Sequence, residues 1–411
     1  MIRILPASSP DALALIGRRV TRDPALQRQV QRIVSAVRRE GDAALVRYAR
    51  RFDGLDGDVE LPLDEARRLA ATAPAGVRRA VAACARNIRR VALTQLPRSV
   101  RVAPAPGVVI DHVVSPLARV GCYVPGGRYP LPSSLLMTAV PAQVAGVPDV
   151  VATCPRIDAV VAAAAVEAGV TRLFRLGGAQ AIAALAYGTG RVPRVDKIVG
   201  PGNRYVAAAK ALVAADCPID FEAGPTELVW ATSGATPEWV ARDLIAQAEH
   251  DPDARAFLVT TSRREAEAVR TAVRRLVPAG GIAAAALAAN GAAILARSRA
   301  EMLDIVNRLA PEHLATDDER IVAQRPLAGT IFVGPWAPPA AGDYATGSNH
   351  VLPTAGAARF RGGLNAADYV RVVAVQRLTR AGLRAIAGPA IAMARVEGLA
   401  AHAGSIEARR S

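Results

Sequence analysis

The chain has 411 residues, too many for one small core, and 51% of them are hydrophobic, so two to four well-buried domains are expected. Its net charge of +15 raises the question of nucleic acid, but the cations are scattered arginines, with only Lys197 and Lys210 as lysines. Without a basic tail or interleaved aromatics, that pattern argues against a nucleic-acid partner and leaves a surface that attracts small anions.

The start, Met1-Ile2-Arg3-Ile4-Leu5-Pro6, lacks the apolar core of a signal peptide. Residues 1–100 read as a helical segment. Val30, Ile33, Val34 and Val37 follow helical spacing, Glu40-Gly41-Asp42 interrupts it, and two more helices are expected over 63–71 and 75–92.

From about 101 the texture changes. Strands are expected over 108–114 and 119–124, the second running into Pro125-Gly126-Gly127. Then strand and helix alternate: strand 150–153, helix 158–168, strand 172–175, Gly177-Gly178, helix 179–187, strand 197–199, Gly200-Pro201-Gly202-Asn203, helix 205–214. This repetition predicts a parallel α/β sheet, with ligands at the glycine turns after its strands. No Gly-x-Gly-x-x-Gly is present.

A second series follows. A strand is expected over 227–231, then a helix with Thr236 as N-cap and Pro237 in its first turn, running to His250. Strand 255–260, helix 263–276, strand 292–296 and strand 329–333 complete it. The uncharged run 276–296 is long enough for a membrane span. Its Pro278, Gly280, Gly281, Asn290 and Gly291 instead predict a short helix, a turn and a strand. After about 354 a glycine-rich link leads to a helical tail. The fold class is therefore α/β, two Rossmann-like parallel-sheet domains with helical extensions. The expected boundaries are 1–100, 101–226, 227–354 and 355–411.

Polar side chains that carry chemistry are few. Cys84, Cys122, Cys154 and Cys217 are widely spaced and form no Cys-x-x-Cys, which suits buried thiols of a reducing cytoplasm. There are five histidines, and four sit in unusual polar surroundings: His250, His313, His350 and His402. Glu312-His313 sets a carboxylate beside an imidazole just after Pro311, a pair suited to proton transfer. Gln247 and His250 are one helical turn apart, spaced for two metal ligands or for an ordinary polar helix end. Asp343 lies in a Gly-Asp-Tyr turn. Glu397 and His402 are five apart, so they diverge by about 140° on a regular helix. They reach one pocket only if Gly398 loosens the helix or the pocket wraps it. Together two His, one Asp and an amide form a nitrogen and oxygen donor set for Zn²⁺, Mn²⁺ or Co²⁺.

Eight blocks, at 120–127, 177–186, 195–203, 247–250, 310–314, 342–344, 349–354 and 397–402, together resemble the histidinol dehydrogenase family over nearly the whole chain. The resemblance implies a zinc-bound cytoplasmic homodimer with no membrane segment. It would oxidise L-histidinol to L-histidine through a bound aldehyde with two NAD⁺, late in histidine biosynthesis. It implies that Gln247, His250, Asp343 and His402 hold zinc and that Glu312 and His313 are the acid/base pair. Tyr123, Gln180 and Asn203 would contact NAD. Thr226, His350 and Glu397, with the metal ligands and His313, would line the substrate pocket. The tail would serve the partner's site. Thr226 stands where the family usually has Ser. Gly127-Arg128-Tyr129-Pro130 and Arg204-Tyr205 are less usual, and point to paralogues that oxidise other small alcohols such as a sulfopropanediol. Arg128 or Arg204 would then meet an anionic group. A non-catalytic basic binding protein is the competing reading from another class.

Overall fold

In the computed structural model, residues 2–18, 23–126, 131–222 and 224–410 are described. Arg128 and its neighbours at 127–130 lie outside them. The strands are β1 (Arg3–Pro6), β2 (Glu60–Leu61), β3 (Val100–Ala105), β4 (Val108–Pro116), β5 (Arg119–Tyr123), β6 (Asp149–Thr153) and β7 (Arg172–Phe174). There follow β8 (Lys197–Val199), β9 (Glu227–Ala231), β10 (Arg255–Thr260), β11 (Ala292–Leu295), β12 (His313–Thr316), β13 (Thr330–Val333) and β14 (Val370–Leu378).

They form three sheets. The first has the order β2-β7-β6-β5-β8 and is parallel except for β2. The second, β1-β11-β10-β9-β12-β13, is parallel throughout. Strands buried on both faces read as near-continuous apolar runs, and any buried polar residue at their ends must be paired. Accordingly Glu227–Ala231 and Arg255–Thr260 are buried end to end. Each fully buried Val or Leu in them contributes about 1.5–3 kcal/mol. The third sheet, β14-β4-β3, is antiparallel.

Five strands, β1, β2, β3, β12 and β14, lie where the sequence reading places none, and helices Pro132–Val144 and Arg299–Leu309 are likewise not expected from it. The N-terminal segment opens with β1, which joins the edge of the second sheet by pairing with β11, and carries β2 between its helices, paired with β7 of the first sheet. The four residues of β1 carry too little periodicity to announce a strand, and the partner lies about 290 residues away. The link before the tail also contains β14, paired along its length with β4. Its Val-rich sequence has strand character, but its partner is more than 250 residues upstream.

The tail is a helical hairpin. Helix Arg380–Val396 ends at Glu397, Gly398 is left-handed at φ 74°, and helix Ala400–Glu407 follows. Ala387, Ile391, Ala394 and Ala403 pack the two helices on each other. Beside the turn, Met393, Val396 and Leu399 are exposed, Val396 to 85%. Among the described residues no helix is long and apolar enough to cross a membrane. The run 276–296 is helix Ile282–Asn290 followed by β11.

Candidate active site

The amino edge of the second sheet gathers most of the polar residues. Helix Arg299–Leu309 is closed by Ala310 in the left-handed region, φ 43°, with its N–H on Val306 O at 2.7 Å. This conformation is costly for a residue with a Cβ. It turns the chain at once through Pro311 into Glu312 and β12. Gly329 lets β13 start close alongside, since a Cβ there would fall 2.7 Å from the Glu312 carbonyl. In register His313 lies opposite Leu228 of β9, so Glu312 and His313 stand beside the start of that strand.

Glu312 is 7% exposed and His313 4%. Glu312 Oε2 accepts the Glu227 N–H at 3.0 Å and the Thr226 hydroxyl. Burial pushes the carboxyl up to about 7, against those two donors, with Asp343 adding repulsion. His313 Nδ1 lies 3.3 Å from the Glu227 carbonyl. With the proton on Nδ1 for that bond, Nε2 is the basic nitrogen. Nε2 is 3.9 Å from Asp343 Oδ1. Burial lowers the imidazole below its ordinary range, favouring the neutral base. Phe332 stacks on it with ring centroids 5.8 Å apart.

The sites expected from sequence separate into those that meet and those that do not. Thr226, Gln247, His250, Glu312, His313, Asp343 and His350 converge. Gln247 Nε2 donates to the Thr226 hydroxyl, and among the described residues the Gln247 carbonyl oxygen takes no hydrogen bond. Gln247 lies within helix Pro237–Ala248 and His250 just past its end, not inside it as expected. Thr236 is the N-cap, yet its hydroxyl makes no cap hydrogen bond. The charge of His250 bears on Glu312, His313 and Asp343. Burial raises the Asp343 carboxyl, and His313 and His250 draw it back. His350 Nδ1 contacts the Asp343 carbonyl at 2.8 Å, and burial lowers that imidazole to about 4.

Glu397 and His402 stand apart, exposed on the hairpin. Gly398, left-handed at φ 74°, breaks the helix between them. Among the described residues no group of three or more His, Cys, Asp or Glu side chains could hold a metal. The donors that gather in one chain are His250, Asp343 and the Gln247 amide. Nitrogen and oxygen donors of this type beside a buried carboxylate fit a hard or borderline cation. The set is one donor short of the four-coordinate sphere common for zinc.

At the carboxyl edge of the first sheet, Tyr123 and Gln180 are buried. The Tyr123 hydroxyl accepts the Gly178 N–H at 3.1 Å. Asn203 caps helix Arg204–Val213, its Oδ1 accepting from Tyr205 and Val206 at 3.0 and 3.2 Å. Gly200 has φ 119°, and a Cβ there would fall 2.2 Å from the Tyr123 carbonyl. Below it Lys210, 1% exposed, bonds the Gly200 carbonyl at 2.9 Å and pairs with Asp220. The Arg204 guanidinium lies over the Tyr205 ring, 5.6 Å from its centroid.

Two residues escaped the sequence reading. Glu227 holds Glu312 and His313 through its backbone, and its side chain binds Arg255 at 2.8 Å. Its adjacency to Thr226 was the available signal. Asp53 reaches Gly177 and Gln180 from 124 and 127 residues away, and nothing local marks it.

Two parallel-sheet domains, with glycine turns on one and a buried proton-transfer pair on the other, are the layout of an α/β enzyme that does acid–base chemistry. The histidinol dehydrogenase family model matches residues 17–410. Histidinol dehydrogenase from Thermus thermophilus is 44% identical, over 94% of this chain and 95% of its own. That from Pseudomonas aeruginosa is 41% identical, over 99% and 97%. The crystal structure of histidinol dehydrogenase from Elizabethkingia anophelis has a TM-score of 0.93 at 32% identity, covering 100% of this chain and 98% of its own. The chain belongs to the histidinol dehydrogenase family and is an NAD-dependent oxidoreductase.

Proposed function

We propose that this protein oxidises L-histidinol to L-histidine in two successive steps, with L-histidinal staying bound between them. The observation that carries the reading is the pair Glu312 and His313, buried side by side and both held by the Glu227 backbone, where burial pushes the carboxyl up to about 7 and lowers the imidazole. Two adjacent groups of this kind suit two unlike proton transfers in one pocket. Residues 101–226 form the NAD side of this reading and 227–354 the acid/base side.

NAD is assigned to Tyr123, Gln180 and Asn203, where it supplies the hydride acceptor. Zinc is assigned to Gln247, His250, Asp343 and His402 of the partner subunit, and supplies a cation that fixes the substrate's polar groups. His313 Nε2 takes the proton of the alcohol as the carbinol is oxidised. Glu312 then removes a proton from the water that adds to the aldehyde carbon. Thr226 and the Glu227 N–H hold its Oε2, which leaves Oε1 for that water. His350 and Glu397 of the partner subunit are assigned to the substrate's walls.

A homodimer with shared sites is part of the proposal. Its support is the exposed apolar flank of the hairpin turn, together with Val100, Val102, Val372 and Val373 exposed on the third sheet. Such surface on a monomer marks an interaction site. A cytoplasmic enzyme fits the four free cysteines, where burial pushes the Cys122 thiol up to about 12 and Cys154 to about 11.

The test is a substrate panel at fixed NAD⁺. L-histidinol is expected to yield two NADH per molecule. Turnover of a sulfonated diol with none of histidinol would transfer the enzyme to a paralogous activity.

A further inference from the structure

The N-terminal helical segment sends a carboxylate to the carboxyl edge of the first sheet. Ala49–Asp53 is a single π-helical turn, closed by Gly54 in the left-handed region at φ 66°. Wide turns of this kind recur at functional sites. Here the turn delivers Asp53 Oδ2 to the Gly177 N–H at 3.0 Å and to Gln180 Nε2 at 2.9 Å. The glycine is needed for the approach, because a Cβ on Gly177 would fall 2.8 Å from Asp53 Oδ1. Tyr123 shares the place, its hydroxyl on the neighbouring Gly178 N–H. Asp53 Oδ2 therefore holds the Gln180 amide by its NH₂ and leaves the Gln180 carbonyl for other contacts. Asp53 Oδ1 takes no hydrogen bond among the described residues.

We propose that Asp53 selects the dinucleotide, its Oδ1 accepting a ribose hydroxyl and its charge rejecting a 2′-phosphate, so that NAD is used in preference to NADP. The inference rests on the placement of NAD at Tyr123, Gln180 and Asn203. A carboxylate beside a ribose both accepts its hydroxyl and repels a phosphate in its place. A local device is required because the protein as a whole is strongly basic, at +15. That field draws the more highly charged NADP at least as well as NAD.

Asp53→Asn keeps the size and one acceptor for Gly177, so the fold is expected to persist by circular dichroism. The ratio of kcat/KM for NAD to that for NADP, with histidinol as substrate, should fall about tenfold or more, the worth of one charge-assisted contact. Asp53→Glu should recover part of the preference. Equal loss with both dinucleotides marks a merely structural residue and overturns the proposal.

A second measurement needs no variant. ADP-ribose should compete with NAD in the wild-type enzyme, and its 2′-phosphorylated form about tenfold more weakly. Equal competition again overturns the proposal. Gln180→Ala and Asn203→Ala separate the two layers. If both raise KM for NAD while Asp53→Asn leaves the ratio unchanged, selection by Asp53 falls and the placement stands. If neither moves KM for NAD, the placement falls and takes the selection with it.

Discussion

The backbone N–H of Glu227 points into the Glu312 carboxylate at 3.0 Å. The same residue's carbonyl faces the His313 ring at 3.3 Å. One peptide segment at the start of β9 thus orients both members of the acid/base pair. Because these contacts are made by main chain, side-chain variants at Glu312 and His313 test chemistry with little disturbance of position.

The two roles are separable by substrate. His313→Ala should slow oxidation of histidinol, and Glu312→Gln should slow mainly oxidation of histidinal, each by about 10²–10⁴-fold in its own step. Single-turnover NADH formation from both substrates is the measurement. Equal depression of both steps in both variants would refute the division of labour.

Thr226 supplies a hydroxyl that serves Glu312 on one side and Gln247 on the other. Thr226→Ser keeps the hydroxyl and should retain activity within a few-fold. Thr226→Val removes a donor that favours the ionised carboxylate, so the Glu312 pKa should rise further above about 7. Glu312 would then be ionised only at higher pH. The acid limb of kcat for histidinal oxidation should move to higher pH, which a pH–rate profile reads directly.

A different acid governs stability. Burial raises the Asp243 carboxyl to about 6, partly offset by the Trp230 indole N–H at 2.9 Å. The folded state then binds the proton more tightly than the unfolded state, whose ordinary value is 3.8. Between these values stability falls as pH rises, and above about 6 the whole penalty is present. Asp243→Asn should therefore stabilise the protein at pH 8 by about 1–3 kcal/mol and much less at pH 4. Urea unfolding at the two pH values checks this, and a variant less stable at pH 8 contradicts it.

Much of this was readable in the sequence, for reasons specific to each part. The alternation from 101 onward marked both parallel sheets, because strands of consecutive βα units are spaced by their own helices. The turn at 310–314 stood out because Pro311 and two ionisable residues break an apolar pattern. What escaped was long-range. The β1–β11 and β14–β4 pairings join segments whose local sequence is silent about their partners. Asp53 is one aspartate among many until the fold places it on Gln180.

The tail makes a prediction about assembly. Glu312→Gln and His402→Ala subunits, each inactive alone, should regain activity when mixed and exchanged, since one of the two sites is then whole. His402→Ala alone should also lower the zinc content by metal analysis, while His250→Ala should strip the metal and leave the fold. No recovery after verified exchange, or full zinc in the His402 variant, would remove the partner's tail from the site.

Lys210 and Asp220 are 1% and 0% exposed at their side chains and carry the Gly200 turn. Lys210→Met leaves the Asp220 charge buried without its partner, at a cost of about 3–5 kcal/mol. Chemical denaturation should register the loss, and a change under 1 kcal/mol would show the pair to be dispensable.

The position of β1 has a consequence for synthesis. The second sheet begins with Arg3–Pro6 and resumes only at Glu227, with the whole first sheet translated in between. On a ribosome the first sheet can therefore close while β1 waits. At typical elongation rates the wait for β11 is roughly 15–60 s. During that interval a short strand stays without its partner, and the second sheet closes only after the first sheet, whose strands all lie between β1 and β9, has been made.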